Sequence, residues 1–520
     1  MVIRDWSSDV CSSDLLGKLV ANRRRGSDDA VVAVIGDGAL TGGMAWEALS
    51  NAGQLGLPLI VVVNDNSMSI SPNVGALSSY LSRLSATVRY QRLRRVLDRM
   101  ILGVPLVGRQ LHPLVLRLKH AVKAVFFKKS LFAELGFEYA GPIDGHNIPM
   151  LTDVLREARE IRRPVVVHIV TKKGKGHYEA ERNPAAFHGV SPSRTVEPRP
   201  TFTEAFGTAM VRAAREDPAL VAVVAAMTSG TGLSAFQKEF PDRFFDVGIA
   251  EQHAVTFAAG MASGGLHPVV AIYSTFMQRC VDQVHHDVAL ADRHVIFAMD
   301  RAGAVPDDGE THQGIYDAQI FRAVPGLAIL APASAVEVDA ALRWALSASG
   351  PVMIRYPKAI CPPERPAYAE PFAYGKGVYV RRGESKSPIL FAVSGAIVET
   401  ALAAADACER EGASADVYHL RFLKPVDAAA FVSIALSYQV VVIAEEAVAT
   451  GSIAAELAAM VNAAGRTLAL AKGFDERPLP QAGREELLAR AGLSAGALAL
   501  AAQTSLAAVS GADLVLGNNA

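Results

Sequence analysis

Residues 31–68 constrain the fold more than any other stretch: VVAVIGDGALTGG leads through a helical segment to LPLIVVVNDNSMS. One apolar, β-branched run ends in Gly-Asp-Gly, and the next ends in Asn-Asp-Asn. Strand, tight turn, helix and strand make up the repeating unit of a parallel sheet, because a crossover helix returns the chain to the end it left. Both strand ends then lie at the carboxyl edge, where parallel α/β proteins bind ligands. Glycine lets the backbone approach a phosphate closely, and the helix that follows presents its free N–H groups. Asp37 and Asn66, with a backbone carbonyl near Met68, would form an oxygen donor set suited to Mg²⁺. Gly-Asp-Gly alone is equally a plain turn; its coupling to Asn-Asp-Asn one strand later is the stronger signal.

Strand-sized apolar runs recur at 31–35, 59–63, 164–170, 219–225, 268–272, 294–299 and 351–355, with helical stretches between them. PILFAVSG, DVYHLRFLKP and QVVVIAEE extend the pattern toward residue 508. This alternation predicts an α/β protein of three doubly wound domains with mainly parallel sheets. The 520 residues, 51% of them hydrophobic, suffice for three cores. Proline clusters place the boundaries: Pro184, Pro192, Pro198 and Pro200 around one linker, and CPPERPAYAEPFAYG at 361–375 around another. The expected domains are 16–198, 199–368 and 369–510, with 511–520 a frayed tail.

A net charge of −1 gives no pull toward nucleic acid or an anionic membrane, and neither is expected as a partner. Four dispersed cysteines without a CxxC pair fit a reducing, cytoplasmic setting. The apolar runs are strand-sized, shorter than a membrane span. Residues 89–129 stand apart, with eleven Lys or Arg against the single acid Asp98. A nucleic-acid or membrane patch is one reading; solvated helices in an insertion over 80–130 is the better one. MVIRDWSSDVCSSDL resembles a translated sequencing adapter, so 1–15 reads as a non-native leader with native sequence from Leu15 or Leu16.

A second carboxylate motif lies far downstream, in FFDVGIAEQHAVTFAAGMA, where Glu251 opens a helix. Alone it is an ordinary dipole-compensating residue. With Gly-Asp-Gly and Asn-Asp-Asn upstream, the chain resembles the thiamine-diphosphate enzymes of the transketolase superfamily. IAEQHAVTFAAG, AIYSTFMQRCVDQVHHDVA, DRAGAVPDDGETHQG and RYPK resemble, more narrowly, the 1-deoxy-D-xylulose-5-phosphate synthases. The likeness covers residues 16 to 508 and implies a transketolase-like fold. It implies a homodimer that decarboxylates pyruvate and condenses the remaining two carbons with D-glyceraldehyde 3-phosphate.

By that resemblance, Asp37, Asn66 and Met68 hold Mg²⁺, Gly38 and Ala39 line the diphosphate, and Tyr178 lies near the cofactor. Glu251 contacts the aminopyrimidine, and burial would raise its pKa. Arg301 and Arg355 hold the acceptor phosphate and Arg279 the pyruvate-derived carboxylate, since guanidinium forks bind both anions. Tyr273, Asp308 and His312 contact the acceptor, with His312 and His188 as proton-transfer candidates. Arg355 alone is equally a sheet-edge salt bridge, and His188 a surface residue. Neighbouring His285 and His286 cannot face one metal from a helix, and a structural role suits them better.

The family's histidine pair and Gly-His-Ser stretch, expected ahead of Gly-Asp-Gly, have no match here, since residues 1–30 contain no histidine. The first domain therefore reads as incomplete. Two other readings stay open: another superfamily enzyme, such as a transketolase or 2-oxoacid dehydrogenase component, or an inactive truncated chain.

Overall fold

The computed structural model describes residues 8–68, 75–76, 78–82, 130–184, 187, 199–383 and 387–517, with side chains from 12 to 510. The basic stretch 89–129, His188, Pro192 and Pro198 lie outside the described residues. Two compact units emerge, one of residues 1–192 with 247–250 and one of 193–246 with 251–520.

The first unit carries a four-stranded parallel sheet of order β1-β2-β4-β3, with β1 at Val31–Gly36, β2 at Leu59–Asp65, β3 at Glu138–Asp144 and β4 at Val165–Val170. Its strands alternate two apolar faces. Ala33, Ile35, Val61 and Val63 pack on helices Ser8–Arg24 and Gly43–Leu55 through Leu15, Leu16, Leu19, Ala45 and Leu49. Ile60, Val62, Val165 and Val167 pack on helix Ile148–Glu160. Each fully buried Leu or Val contributes about 1.5–3 kcal/mol. Helix Ser8–Arg24 runs through Leu15–Leu16, the junction expected between leader and native sequence.

The second unit holds two sheets. One has order β14-β9-β10-β8-β7-β5-β6, from β5 at Leu220–Val224, β6 at Phe244–Asp246, β7 at His267–Tyr273, β8 at Ile296–Asp300, β9 at Ala328–Leu330, β10 at Val352–Arg355 and β14 at Phe422–Lys424. Its pairs are parallel except β14 with β9. The other has order β11-β13-β12-β15-β16, from β11 at Val378–Arg381, β12 at Ile389–Val393, β13 at Ala415–His419, β15 at Val440–Val448 and β16 at Leu468–Phe474. Only its β11–β13 pair is antiparallel.

DVYHLRFLKP, placed by the sequence in the third block, divides after His419, and β14 joins the neighbouring sheet. The cause is Arg421, 1% exposed, whose Nε donates to Glu337 at 2.7 Å. His419 Nε2 lies 2.9 Å from the same carboxylate. Two cationic-type side chains thus converge on one buried acid and pin the crossover between sheets.

The last helix, Ala495–Gly517, runs into the segment expected as tail. Among the described residues, one stretch, Arg484–Ser510, is long and apolar enough to cross a membrane by length and composition. Leu487, Leu488, Leu493, Leu498 and Ala502 within it are buried in the core of the last sheet.

Candidate active site

In the first unit the β1–β2 register sets Gly36 beside Asn64, and the Asp37 N–H donates to Asn64 O at 3.1 Å. Asp37 thereby stands at the carboxyl edge, as its motif predicts, heading the short turn Gly38–Thr41 in which Gly38 and Ala39 are buried. Its Oδ1 accepts the Gly38 N–H at 3.1 Å and its Oδ2 the Ser67 N–H at 2.8 Å. Asn66 lies in the neighbouring turn after β2, where its Oδ1 accepts the Met68 N–H at 2.9 Å. Ser67 holds a left-handed backbone, φ 58°, to make that turn.

Asp65, passed over in the sequence reading, is the second carboxylate of this cluster. It is 2% exposed, and its Oδ2 lies 3.1 Å from His168 Nε2, whose Nδ1 lies 2.7 Å from the Tyr139 hydroxyl. Burial, then the charge and hydrogen bond of Asp65, push Asp37 up to about 7. Two buried carboxylates held this close, with amide oxygens beside them, repel each other, and a hard divalent cation would offset that repulsion. Tyr178, by contrast, is 72% exposed, and its hydroxyl accepts from Arg182 at 2.8 Å.

In the second unit, parallel neighbours β7, β8 and β10 end side by side, with Tyr273 opposite Asp300 and Arg355 opposite Met299. Tyr273, Arg301 and Arg355 therefore share one edge. Arg301 turns back with φ 61° and lays its guanidinium over the Tyr273 ring, Cζ 3.7 Å from the centroid. Asp308 and His312 come from the loop after β8, and Thr311 Oγ1 lies 3.1 Å from His312 Nδ1. Burial lowers His312 below the ordinary imidazole value, and Asp308, Arg301 and Lys358 all act on it electrostatically. Burial thus favours the neutral form of the ring, the form that can accept a proton.

Glu251 opens helix Glu251–Ser263 and is 3% exposed. Arg279 donates through Nη1 to Glu251 Oε2 at 3.3 Å, so the guanidinium meant for a substrate carboxylate rests against the catalytic candidate.

Arg355, expected at the phosphate, is paired inside the protein. Its Nε and Nη2 donate to both Asp317 oxygens at 3.1 and 2.9 Å, and the residue is 5% exposed. The reason is its place as the last residue of β10, which aims it at a neighbouring helix. Lys358, three residues later, leaves the strand instead. Its Nζ donates to Asp308 Oδ2 at 2.7 Å with the side chain part-exposed. A cation after a strand end, not within it, is the signal that would have found it. His286 Nδ1 lies 3.1 Å from Asp282, in keeping with a structural role for that pair.

Family profiles match the chain in three places. Residues 5–171 match 1-deoxy-D-xylulose-5-phosphate synthase, 199–363 the pyrimidine-binding domain of transketolase, and 375–498 the transketolase C-terminal domain. A 1-deoxy-D-xylulose-5-phosphate synthase of Treponema pallidum is 48% identical over 509 residues, covering 96% of this chain and 80% of that protein. One from Natranaerobius thermophilus is 42% identical over 496 residues, covering 93% and 78%. The solved structure of a split gene transketolase, an inactive β4 tetramer, aligns with TM-score 0.54 and 29% identity, covering 59% of this chain and 99% of that one.

Proposed function

From its membership of the 1-deoxy-D-xylulose-5-phosphate synthase family, to which this chain belongs, we propose the part each of its site residues plays in joining pyruvate to D-glyceraldehyde 3-phosphate. It is a transketolase-type transferase dependent on thiamine diphosphate, acting on small molecules. When bound, that cofactor supplies the electron sink for loss of CO₂ from a 2-oxo acid. Everything else falls to the protein.

Asp37 and Asn66, with the Met68 carbonyl, hold Mg²⁺ and through it the diphosphate, lined by Gly38 and Ala39. The pair of buried carboxylates Asp37 and Asp65 supports this, since a divalent ion offsets their repulsion. Glu251 contacts the aminopyrimidine and Arg279 orients both that carboxylate and the pyruvate carboxylate. Tyr178 and His188 keep their assignment near the cofactor and as a proton-transfer group. Arg301 and Lys358, rather than Arg355, face the acceptor phosphate. Asp308 holds Lys358 in place, Tyr273 backs Arg301, and neutral His312 exchanges a proton at the acceptor aldehyde.

The observation that carries the acceptor assignment is the placement of Arg301 over Tyr273 at the strand ends and of Lys358 on Asp308, in the loop that also bears His312. Two cations beside a neutral base suit a phosphorylated aldehyde. The test is product formation by the purified protein with thiamine diphosphate, Mg²⁺ and both substrates. 1-Deoxy-D-xylulose 5-phosphate and CO₂ must appear together and vanish when pyruvate is omitted; turnover without pyruvate would instead identify a transketolase. For the metal, Asp37→Ala and Asn66→Ala should each abolish Mg²⁺-dependent cofactor binding in calorimetry, and unchanged affinity would refute the ligand set. We further propose a cytoplasmic homodimer, checked by light scattering and cell fractionation.

A further inference from the structure

We propose that Asp300, braced by Thr203, is a positioning residue that aims Arg301 at the acceptor's phosphate; the proposal rests on the acceptor role given to Arg301 above. Asp300 ends β8 and is fully buried. Its Oδ1 accepts from Arg301 Nη1 at 2.9 Å, and its Oδ2 accepts from Thr203 Oγ1 at 2.7 Å. Thr203 belongs to helix Phe202–Glu216, whose start is locked by the capping box of Thr201 and Glu204. The carboxylate is thus held from a rigid element on one side and grips the arginine on the other.

Successive side chains of a strand point to opposite faces. Residues 300 and 301 meet on one side because Arg301 leaves the strand in the left-handed region, φ 61°. A non-glycine residue keeps that conformation where its surroundings over-determine it, and such residues cluster at working sites. The surroundings here are specific. Arg301 Nη1 also donates to Gly230 O at 2.7 Å, and the guanidinium lies on the Tyr273 ring. A Cβ on Gly230 would fall 1.7 Å from the Tyr273 hydroxyl, so glycine is required for the ring and the carbonyl to come together. Among the described residues, the hydrogen bonds recorded for this guanidinium use Nη1, leaving Nε and Nη2 to take an anion.

Burial pushes Asp300 up to about 6, opposed first by the charge of Arg301 and then by Thr203. The guanidinium thus favours the charged carboxylate. A salt bridge kept only to close the sheet would not need a threonine behind it or a strained arginine in front.

The experiment compares Asp300→Asn, Thr203→Val and Arg301→Ala in the cofactor- and Mg²⁺-loaded enzyme. D-Glyceraldehyde 3-phosphate, unphosphorylated D-glyceraldehyde and pyruvate are each varied, and inorganic phosphate binding is measured by calorimetry. Asp300→Asn should raise KM for the phosphorylated aldehyde about tenfold and weaken inorganic phosphate equally, with kcat and both other KM values near wild type. Thr203→Val should move the same two quantities about threefold. Asp300→Glu should restore part of the loss. If Arg301→Ala is selective for the phosphorylated aldehyde while Asp300→Asn and Thr203→Val are not, Asp300 only supports the fold and the proposal fails. If Arg301→Ala harms both aldehydes equally, the acceptor role of Arg301 fails first. Should Asp300→Asn not fold, Thr203→Val decides: an unchanged phosphate affinity there overturns the proposal.

Discussion

Arg355 and Lys358 lie three residues apart in IRYPK, and their surroundings separate them completely. Arg355→Ala would leave Asp317 buried without its cation, a loss of about 3–5 kcal/mol. Chemical denaturation should register it, with activity toward phosphorylated and unphosphorylated aldehyde falling together. Lys358→Ala should leave the unfolding free energy within about 1 kcal/mol, because its ion pair is part-exposed, yet raise KM for the phosphorylated aldehyde alone. The reverse pattern would return the phosphate to Arg355. His312 carries a pH signature. Its folded pKa is lowered by burial from the ordinary 6.5, so the unfolded chain takes up this proton first. Stability from this group is complete above pH 6.5 and declines as pH falls through that value. His312→Asn should flatten that part of a stability–pH curve, and an unaltered slope between pH 5 and 7 (roughly the span set by an imidazole) would count against a neutral ring.

At the scale of elements, β2, β4, β5 and the central strands of both later sheets could be read directly, because each is a short apolar run buried on both faces, and β1, buried on one face with Val34 exposed on the other, is a β-branched run of the same kind. β3 was hidden. EYAGPID has Gly141 and Pro142 in its middle and little apolar content, and it forms because β4 offers it an edge. β14 was hidden for the opposite reason: HLRFLKP continues β13 without a break in pattern, and only the ion pairs of Arg421 show where the chain changes sheets. The site shows the same division. Motif spacing proposed Asp37 and Asn66 and the family resemblance proposed Glu251 and Arg301, but side-chain direction at a strand end, on which the choice between Arg355 and Lys358 turns, is absent from any linear pattern. Asp65 went unread because its neighbour Asn66 explained the motif by itself. Glu337→Ala tests the crossover. It would strand Arg421 and His419 beside each other without an acid, costing about 3–5 kcal/mol in denaturant unfolding. A loss below about 1 kcal/mol would mean that packing, not charge, fixes the turn.

For the whole molecule, the division into two compact units gives a direct expectation. Limited proteolysis should release a resistant fragment beginning near residue 200 and carrying both later sheets, since residues 193–246 and 251–520 cluster together. Stable fragments that instead begin near 375 would show that the last sheet stands free. The strand exchange argues against that outcome. Phe422–Lys424 closes the flank of β9 with antiparallel hydrogen bonds, although it lies within the stretch matching the transketolase C-terminal domain. The boundary written in the sequence at 361–375 is consequently a seam of ancestry but not of folding. A gene split there would yield two polypeptides that complete each other like the halves of a reporter protein. Each half alone would present one raw strand edge or one orphan strand, and neither could be shuffled into another enzyme without taking its counterpart along.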